Sequence, residues 1–264
     1  MKQFRSFVFL FIGLLIGLQS CGQKHDRYYS SIRWQNGERL KSQLHEIIKN
    51  HIEFPYTSKE TDTWDILKEA DRDPSNPENV ILFYSGWSVN ANQEYNNRTG
   101  WDREHVWAKS HGKFSTKIGI GTDLHNLKPT DISINAARGN QDFDYGGDIY
   151  IDSDGTTTCR LDKDSWEPRD EVKGDVARIL FYMAVRFEGE NDEPDLELID
   201  EVNTFNLNLP GFGFQGKLST LLLWHKNDPV DEFEIRRNNV IYSYQNNRNP
   251  FIDHPKFVNR IWGK

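Results

Sequence analysis

Cysteine is nearly absent from this chain: 264 residues hold two, Cys21 and Cys159. Cys21 closes an N-terminal export signal described below, which leaves Cys159 alone and predicts no intrachain disulfide. A disulfide-stapled domain is thereby excluded, and the fold must be held by an apolar core, for which the length suffices. Long apolar runs are missing as well. Outside the short stretch from Phe7 to Leu18 there is none, and a mean hydropathy of −0.74 excludes a polytopic membrane protein. Internal repeats and long low-complexity tracts are absent. A basic excess is lacking too. Lys and Arg number 32 against 40 Asp and Glu, a net charge of −8. Residues 1–20 carry Lys2 and Arg5 and no acid, so the remainder stands at −10. Nucleic-acid binders are usually basic, and bulk charge argues against one here.

What is present points the other way. Aromatics at 13% and hydrophobics at 36% describe a folded globular chain rather than a disordered one. Between Arg98 and Asn140, seven cations (Arg98, Arg103, Lys109, Lys113, Lys117, Lys128, Arg138) outnumber four acids (Asp102, Glu104, Asp123, Asp131). Much of the acidity lies instead in 188–201, expected as a solvated loop and helix start. Residues 1–20 have a charged start and a short apolar core, the pattern of a signal peptide. The Leu18-Gln19-Ser20-Cys21 end resembles a bacterial lipoprotein box, in which Cys21 is acylated and several acyl chains anchor the protein. An ordinary signal peptide and an uncleaved anchor are the alternatives. Residues 21–38 read as a polar tether and 39–264 as one domain.

Periodicity sketches that domain. Leu40, Leu44, Ile47, Ile48 and Ile52 predict an amphipathic helix over 39–52, ended by Pro55. Trp64, Ile66 and Leu67 predict a second helix, closing at DRDPSNPEN, where Asp71 and Asp73 read as turn residues before cation ligands. VILFYSGW (80–87) reads as a strand, and YIDSDGTTT suggests a hairpin. GDVARILFYMAVRF (174–187) is a helix with Val176, Ile179, Leu180, Met183 and Phe187 on its buried stripe. Residues 217–245 read as two helices broken near Asp228-Pro229. His111 is expected in a loop, with Trp224 and His225 at the core and its edge.

The densest chemistry lies in 103–140. Arg103-Glu104-His105, followed by Val106 and Trp107, is strand-like. Asp123–Leu127 is a second strand candidate, Lys128–Asp131 a turn with capping residues, and Ile132–Arg138 a short helix that Gly139 ends. Asp131, Asn135 and Arg138 share one face of that helix and could face His105. Cutting a phosphodiester requires a proton acceptor, neutralised phosphate charge and a stabilised leaving oxygen. A neutral His serves the first near pH 7, a hard divalent ion with oxygen ligands the others, and arginines hold phosphates.

The order strand, strand, helix resembles the ββα-metal motif, and the chain resembles the bacterial endonuclease I family from about Leu40 to Trp262. The carrying segments are REHVW (103–107), DLHNL (123–127), Asn135, Arg138 and Asn140 in an NxxRxN pattern, GDVARILFYM (174–183), DPVDEFEIRRN (228–238) and QNNRNPF (245–251). The resemblance implies an α+β, mainly helical single domain with an embedded His-Me finger. It implies His105 as general base, Glu104 and Asn135 as ligands of Mg²⁺ (Mn²⁺ or Ca²⁺ substituting), and Arg138 and Arg178 as phosphate holders. Arg103, His125, Asn126, Asn140 and Arg248 would lie around the substrate or orient the site. Expected substrates are DNA and also RNA, cut without sequence preference to 5′-phosphate and 3′-hydroxyl ends. The expected protein is a monomer exported from a bacterial cytoplasm and tethered to the outer membrane or cell surface, or else periplasmic or secreted. Gly121 departs from members that carry an acid there.

Several bland readings stand beside these. Arg178 could pair with Asp175 three residues back, and Arg248 could brace its loop. A zinc site from His105, His125 and Glu104 is disfavoured by the missing HExxH pattern and the oxygen ligands. A lipoprotein that only captures nucleic acid is the non-enzymatic alternative. Adjacent strand residues point to opposite faces, so Glu104 and His105 share a site only if the strand bends or ends there.

Overall fold

The helix Lys173–Arg186 has no solvent-facing side: all 14 of its residues are buried. Such a helix can only lie inside a domain, and the other elements surround it. The computed structural model describes residues 27–207 and 209–263. In chain order, α1 (Glu38–Ile48) and α2 (Thr63–Ala70) precede an antiparallel hairpin of β1 (Asn79–Ile81) and β2 (Ser88–Asn90). Then come β3 (Trp101–His105), the short α3 (Lys109–Gly112), β4 (Leu127–Asp131) and α4 (Ile132–Arg138). Strands β5 (Asp142–Phe143), β6 (Asp148–Ile151), β7 (Thr156–Leu161) and β8 (Ser165–Glu167) form a sheet in the order β5-β8-β7-β6. The buried helix is α5. After it, β9 (Asp195–Leu198) pairs in parallel with β10 (Phe212–Gln215), and α6 (Leu218–Asn227), α7 (Glu232–Gln245), α8 (Pro250–Asp253) and α9 (Lys256–Trp262) close the chain. Helix accounts for 39% and strand for 18%, an α+β composition.

Burial on every side forces the polar residues of α5 into pairs. Lys173 meets Glu167 at 2.6 Å, Arg178 meets Glu234 at 2.6 Å and Arg186 meets Glu193 at 3.1 Å. Around α5 lies the main apolar cluster, including Leu40, Leu44, Trp107, Trp166 and Leu221. A second cluster gathers Trp64, Leu67, Val80, Trp101, Leu127 and Ile241. Strand β3 spans the seam. It begins at Trp101 in the second cluster, and the chain leaves it through Val106 and Trp107 in the main one. Both ends are thus clamped by fully buried indoles. Truncating Trp107 to Ala would cost roughly 3–5 kcal/mol.

Several elements differ from the sequence reading. The second strand of the finger is not Asp123–Leu127 but Leu127–Asp131, antiparallel to β3 with His105 opposite Leu127 and Glu104 opposite Lys128. Asp123 turns its own chain by accepting from the His125 amide at 2.9 Å. Pro129 is tolerated in β4 because that strand pairs with β3 alone. Helix α4 has the expected bounds. Asp131 caps it, accepting from the Ser133 and Ile134 amides at 2.8 and 3.2 Å, and Gly139 leaves it at a φ of 59°. VILFYSGW is a strand only through Ile81, because Ser85 and Gly86 turn the chain into β2. The acidic stretch yields β9 rather than a helix start. Tyr28 and Tyr29, counted with the tether, pack into the main core, where the Tyr29 hydroxyl donates to Asp253 at 2.8 Å. Asp71 stands in the turn that ends α2, as expected, and its carboxylate is taken up by side chains. It is buried against Lys128 at 2.7 Å and Arg237 at 2.9 Å, two cations that hold its carboxyl below the usual range despite burial. Residues 1–20 and Cys21 lie outside the described residues.

Candidate active site

Strand β3 delivers Glu104 and ends at His105, the circumstance under which neighbours can serve one site, and the two side chains have different immediate partners. Glu104 is buried. Tyr84 Oη donates to its Oε1 at 2.7 Å, and Arg138 Nη1 lies 3.2 Å from the same oxygen. Burial lifts the Glu104 carboxyl above its ordinary range, while the Arg138 charge pulls it back. His105 is buried between two rings. Tyr56 stacks on it with centroids 5.8 Å apart, and Phe114 is tilted against it at 6.0 Å. Its Nε2 lies 2.9 Å from the Gly121 carbonyl. A carbonyl oxygen only accepts, so Nε2 carries the proton and Nδ1 is left as the basic nitrogen. Burial pushes the imidazole down to about 3, aided by the charges of Lys109, Arg103 and Arg138. The ring is neutral at pH 7.

Gly121 explains its own identity. A Cβ built there would sit 1.8 Å from the Ser115 carbonyl oxygen. An acid at this position requires a different loop path.

Helix α4 packs on β3 and β4 and brings Asn135 and Arg138. The Asn135 carboxamide is half-buried and takes no side-chain hydrogen bond among the described residues. Glu104 Oε2 likewise accepts none. One carboxylate and one amide oxygen are the donors a hard divalent ion takes, so these residues suit such an ion. Arg138 turns inward. Its Nη1 donates to the His105 carbonyl at 3.2 Å and its Nη2 to the Val106 carbonyl at 2.8 Å, and the guanidinium lies 4.7 Å from the Phe143 ring. It therefore braces α4 to the end of β3, where the sequence suggested a phosphate grip.

Other expected residues are held in place as firmly. Arg178 is fully buried with each guanidinium nitrogen engaged: Nε and Nη2 by Glu234 at 2.6 Å each, and Nη1 by the Asp228 carbonyl at 2.7 Å. It supports the junction of α5 with α7, and its Nη2 also lies 3.3 Å from Asp175, the ion-pair alternative that the sequence offered. Arg248 is bound by Asp253 at 2.6 and 2.8 Å and braces its loop. Arg103 lies between Tyr56 and Trp64, 3.4 and 3.8 Å from the ring centroids, and donates to the Tyr56 carbonyl and to Thr63 Oγ1. Asn126 clamps the exit of β3 by accepting from the Trp107 amide at 2.7 Å and donating to the Trp107 carbonyl at 3.3 Å. His125 is buried on Tyr182, its ring pushed down to about 4 by burial. Asn140 donates to Ser110 at 3.0 Å. His111 is no loop residue: it is buried, with its ring nitrogens 2.6 Å from the Phe214 and Asn140 carbonyls. Among the described residues, no cluster with metal-ligand spacing contains His105 or His125, so the zinc alternative gains nothing.

Sequence reasoning missed three contributors. Tyr84 and Tyr56 come from segments 20 and 49 residues before Glu104 and His105, and nothing in their spacing links them to the finger. Lys109 was visible in the cationic stretch but had no role. It opens α3 four residues after His105, is half-exposed, and has no ion pair or side-chain hydrogen bond among the described residues. Its charge acts on both Glu104 and His105.

A neutral histidine beside a buried carboxylate, carried on a strand pair with a helix against it, suits hydrolysis of a phosphodiester, and comparison with known proteins makes the class definite: the chain is a nuclease. The family model described as Endonuclease I matches residues 36–256. The chain belongs to the endonuclease I family. The "Extracellular ribonuclease" of Bacillus subtilis (strain 168) is 52% identical over 238 residues, 90% of this chain and 78% of that protein. The protein of the same name from Bacillus amyloliquefaciens matches to the same extent. "Endonuclease-1" of Buchnera aphidicola subsp. Baizongia pistaciae (strain Bp) is 29% identical over 186 residues, 63% of this chain and 66% of that protein.

Proposed function

We propose that this protein is an exported, metal-dependent endonuclease of the His-Me finger type, hydrolysing RNA and DNA to products with 5′-phosphate and 3′-hydroxyl ends. The observation that carries the reading is the 2.9 Å contact between His105 Nε2 and the Gly121 carbonyl. It fixes the tautomer with Nδ1 basic, and burial keeps the ring unprotonated. Nδ1 takes the proton of the attacking water. Glu104 and Asn135 would hold a divalent ion, Mg²⁺ with Mn²⁺ or Ca²⁺ as substitutes. When bound, that ion neutralises charge on the phosphate and on the leaving oxygen. Arg138 positions Glu104, and Asn126 positions the strand that carries His105. Lys109 replaces the two buried arginines as the cation that meets the scissile phosphate.

RNA enters the substrate class through the ribonuclease relatives, and so does export. Lipid attachment at Cys21 and a monomeric state complete the reading. Chelation tests it. Cutting of RNA or supercoiled plasmid should stop in EDTA and return with added Mg²⁺. Cutting that continues in EDTA contradicts the metal's role, and nucleic-acid binding without any cutting favours a capture protein.

A further inference from the structure

Asp131 and Ile132 precede Asn135 by four and three residues on or at the start of α4, so they lie on its face one turn away, about 5.4 Å along the axis. Both line a cavity of about 580 Å³ that also takes in Trp87, Arg98, Ser133 and Asp154, within the size range of small-molecule sites. The lining is chemically mixed in a useful way. Trp87 is half-buried and held in place by Gly155, where an added Cβ would come within 2.5 Å of its six-membered ring. Arg98 is exposed, and its Nε donates to Tyr95 Oη at 3.1 Å, which orients the guanidinium and leaves both terminal nitrogens without a partner among the described residues.

The carboxylates divide into two kinds. Asp131 is spent on capping α4, and Asp152 beside it accepts from Ser133 Oγ at 2.8 Å and Tyr150 Oη at 3.1 Å. Asp154 is exposed, and among the described residues its carboxylate has only a long 3.5 Å contact from Ser153 Oγ. With Asp131 and Asp154 on its wall and Asp152 behind them, the cavity disfavours a phosphate. It suits a planar group that offers N–H donors. An indole surface suits a base, because every base has a face that stacks. An arginine fork matches the paired O6 and N7 acceptors of guanine in the same way that it reads guanine in DNA. Guanine also carries two adjacent N–H donors on its opposite edge, which a carboxylate can accept together. Adenine and the pyrimidines lack that combination.

We propose that this cavity is a guanine-binding subsite, which receives the base of a nucleotide next to the cleaved bond and adds a base preference to binding that is otherwise driven by phosphate contacts. Its place next to the cleaved bond rests on the reading of Asn135 as an ion ligand; its affinity for guanine does not. Single-stranded RNA, whose bases are free to splay out, is the substrate form that would use it.

Binding of nucleoside 5′-monophosphates to the full chain in EDTA, followed by calorimetry, tests the site apart from cleavage. Guanosine 5′-monophosphate should bind about tenfold more tightly than uridine 5′-monophosphate, which carries the same phosphate. Asp154→Asn and Trp87→Ala should each erase that ratio, and Arg98→Met should reduce it. Asp154 and Arg98 are exposed, so two of the three variants leave the core intact. Equal affinity for the two nucleotides in the parent protein overturns the subsite, as does a ratio that survives Asp154→Asn. A ratio that appears only with added divalent ion, and vanishes with it, assigns the carboxylates to a cation and overturns it as well. Mapping cut sites in mixed-sequence RNA then places the site: guanine enrichment at one fixed position beside the cut supports it, and enrichment at no position overturns the placement. Metal-independent cutting by a protein that still prefers guanosine 5′-monophosphate refutes the ion reading alone.

Discussion

His105 and Glu104 are neighbours in sequence with opposite protonation problems. Burial makes both neutral forms easier, which suits a base and hinders an ion ligand. For His105 the depressed value of about 3 means that the ring needs no deprotonation anywhere above pH 4. For Glu104 the raised value means that protons compete with a divalent ion above the ordinary carboxylate range. As pH falls through that raised value, the carboxylate becomes protonated, the ion is released, and cleavage declines. The acid limb of activity should therefore belong to Glu104 and shift to lower pH as Mg²⁺ is raised. Rate profiles at two Mg²⁺ concentrations check this. A limb near 6.5 that ignores Mg²⁺ would assign it to a histidine of ordinary basicity and refute the account of both residues.

At the scale of elements, the proposed site is carried by a short strand pair and one helix, with a long loop between the two strands. The Gly121 carbonyl holds His105, and only a residue without Cβ fits beneath Ser115. Gly121→Asp should displace that loop, lower the melting temperature and reduce cleavage at least tenfold, read by thermal unfolding and initial rates. Unchanged rates would show that the His105–Gly121 bond does not orient the base. Parts of this arrangement were legible in the sequence. Asp131 and Gly139 marked both ends of α4, and the run of apolar residues marked α5. The second strand was misplaced because Asp123–Leu127 alternates like a strand while its Asp folds it into a turn. The surroundings of the arginines were illegible for a related reason. Type and spacing show that Arg138 and Arg178 are cations on helices, but whether a guanidinium faces solvent or a buried carboxylate depends on partners far along the chain, such as Glu234 for Arg178.

For the whole molecule, charge is distributed in a way that composition conceals. Of the seven cations between Arg98 and Asn140, Arg103, Lys128 and Arg138 are buried, so the positive stretch is thinner at the surface than its sequence. Lys109, Lys113 and Lys117 remain near one another in the chain on the side of α3. An acidic protein whose central stretch turns only part of its cations outward should bind nucleic acid weakly and lose binding as salt rises. Attachment to a membrane would keep such an enzyme near its source. Cys21→Ser should move the protein from the membrane fraction to the soluble one, and unchanged fractionation would refute a lipid anchor.

The central claim is that a buried, neutral His105 activates water. The most direct measurement is the single-turnover cleavage rate of RNA and of plasmid DNA by His105→Ala in saturating Mg²⁺, with nucleic-acid affinity measured in parallel. The account predicts a loss of roughly 10²–10⁴-fold in rate with affinity within about twofold of the parent protein. Cleavage at the parental rate, in a variant that folds and binds normally, would contradict it.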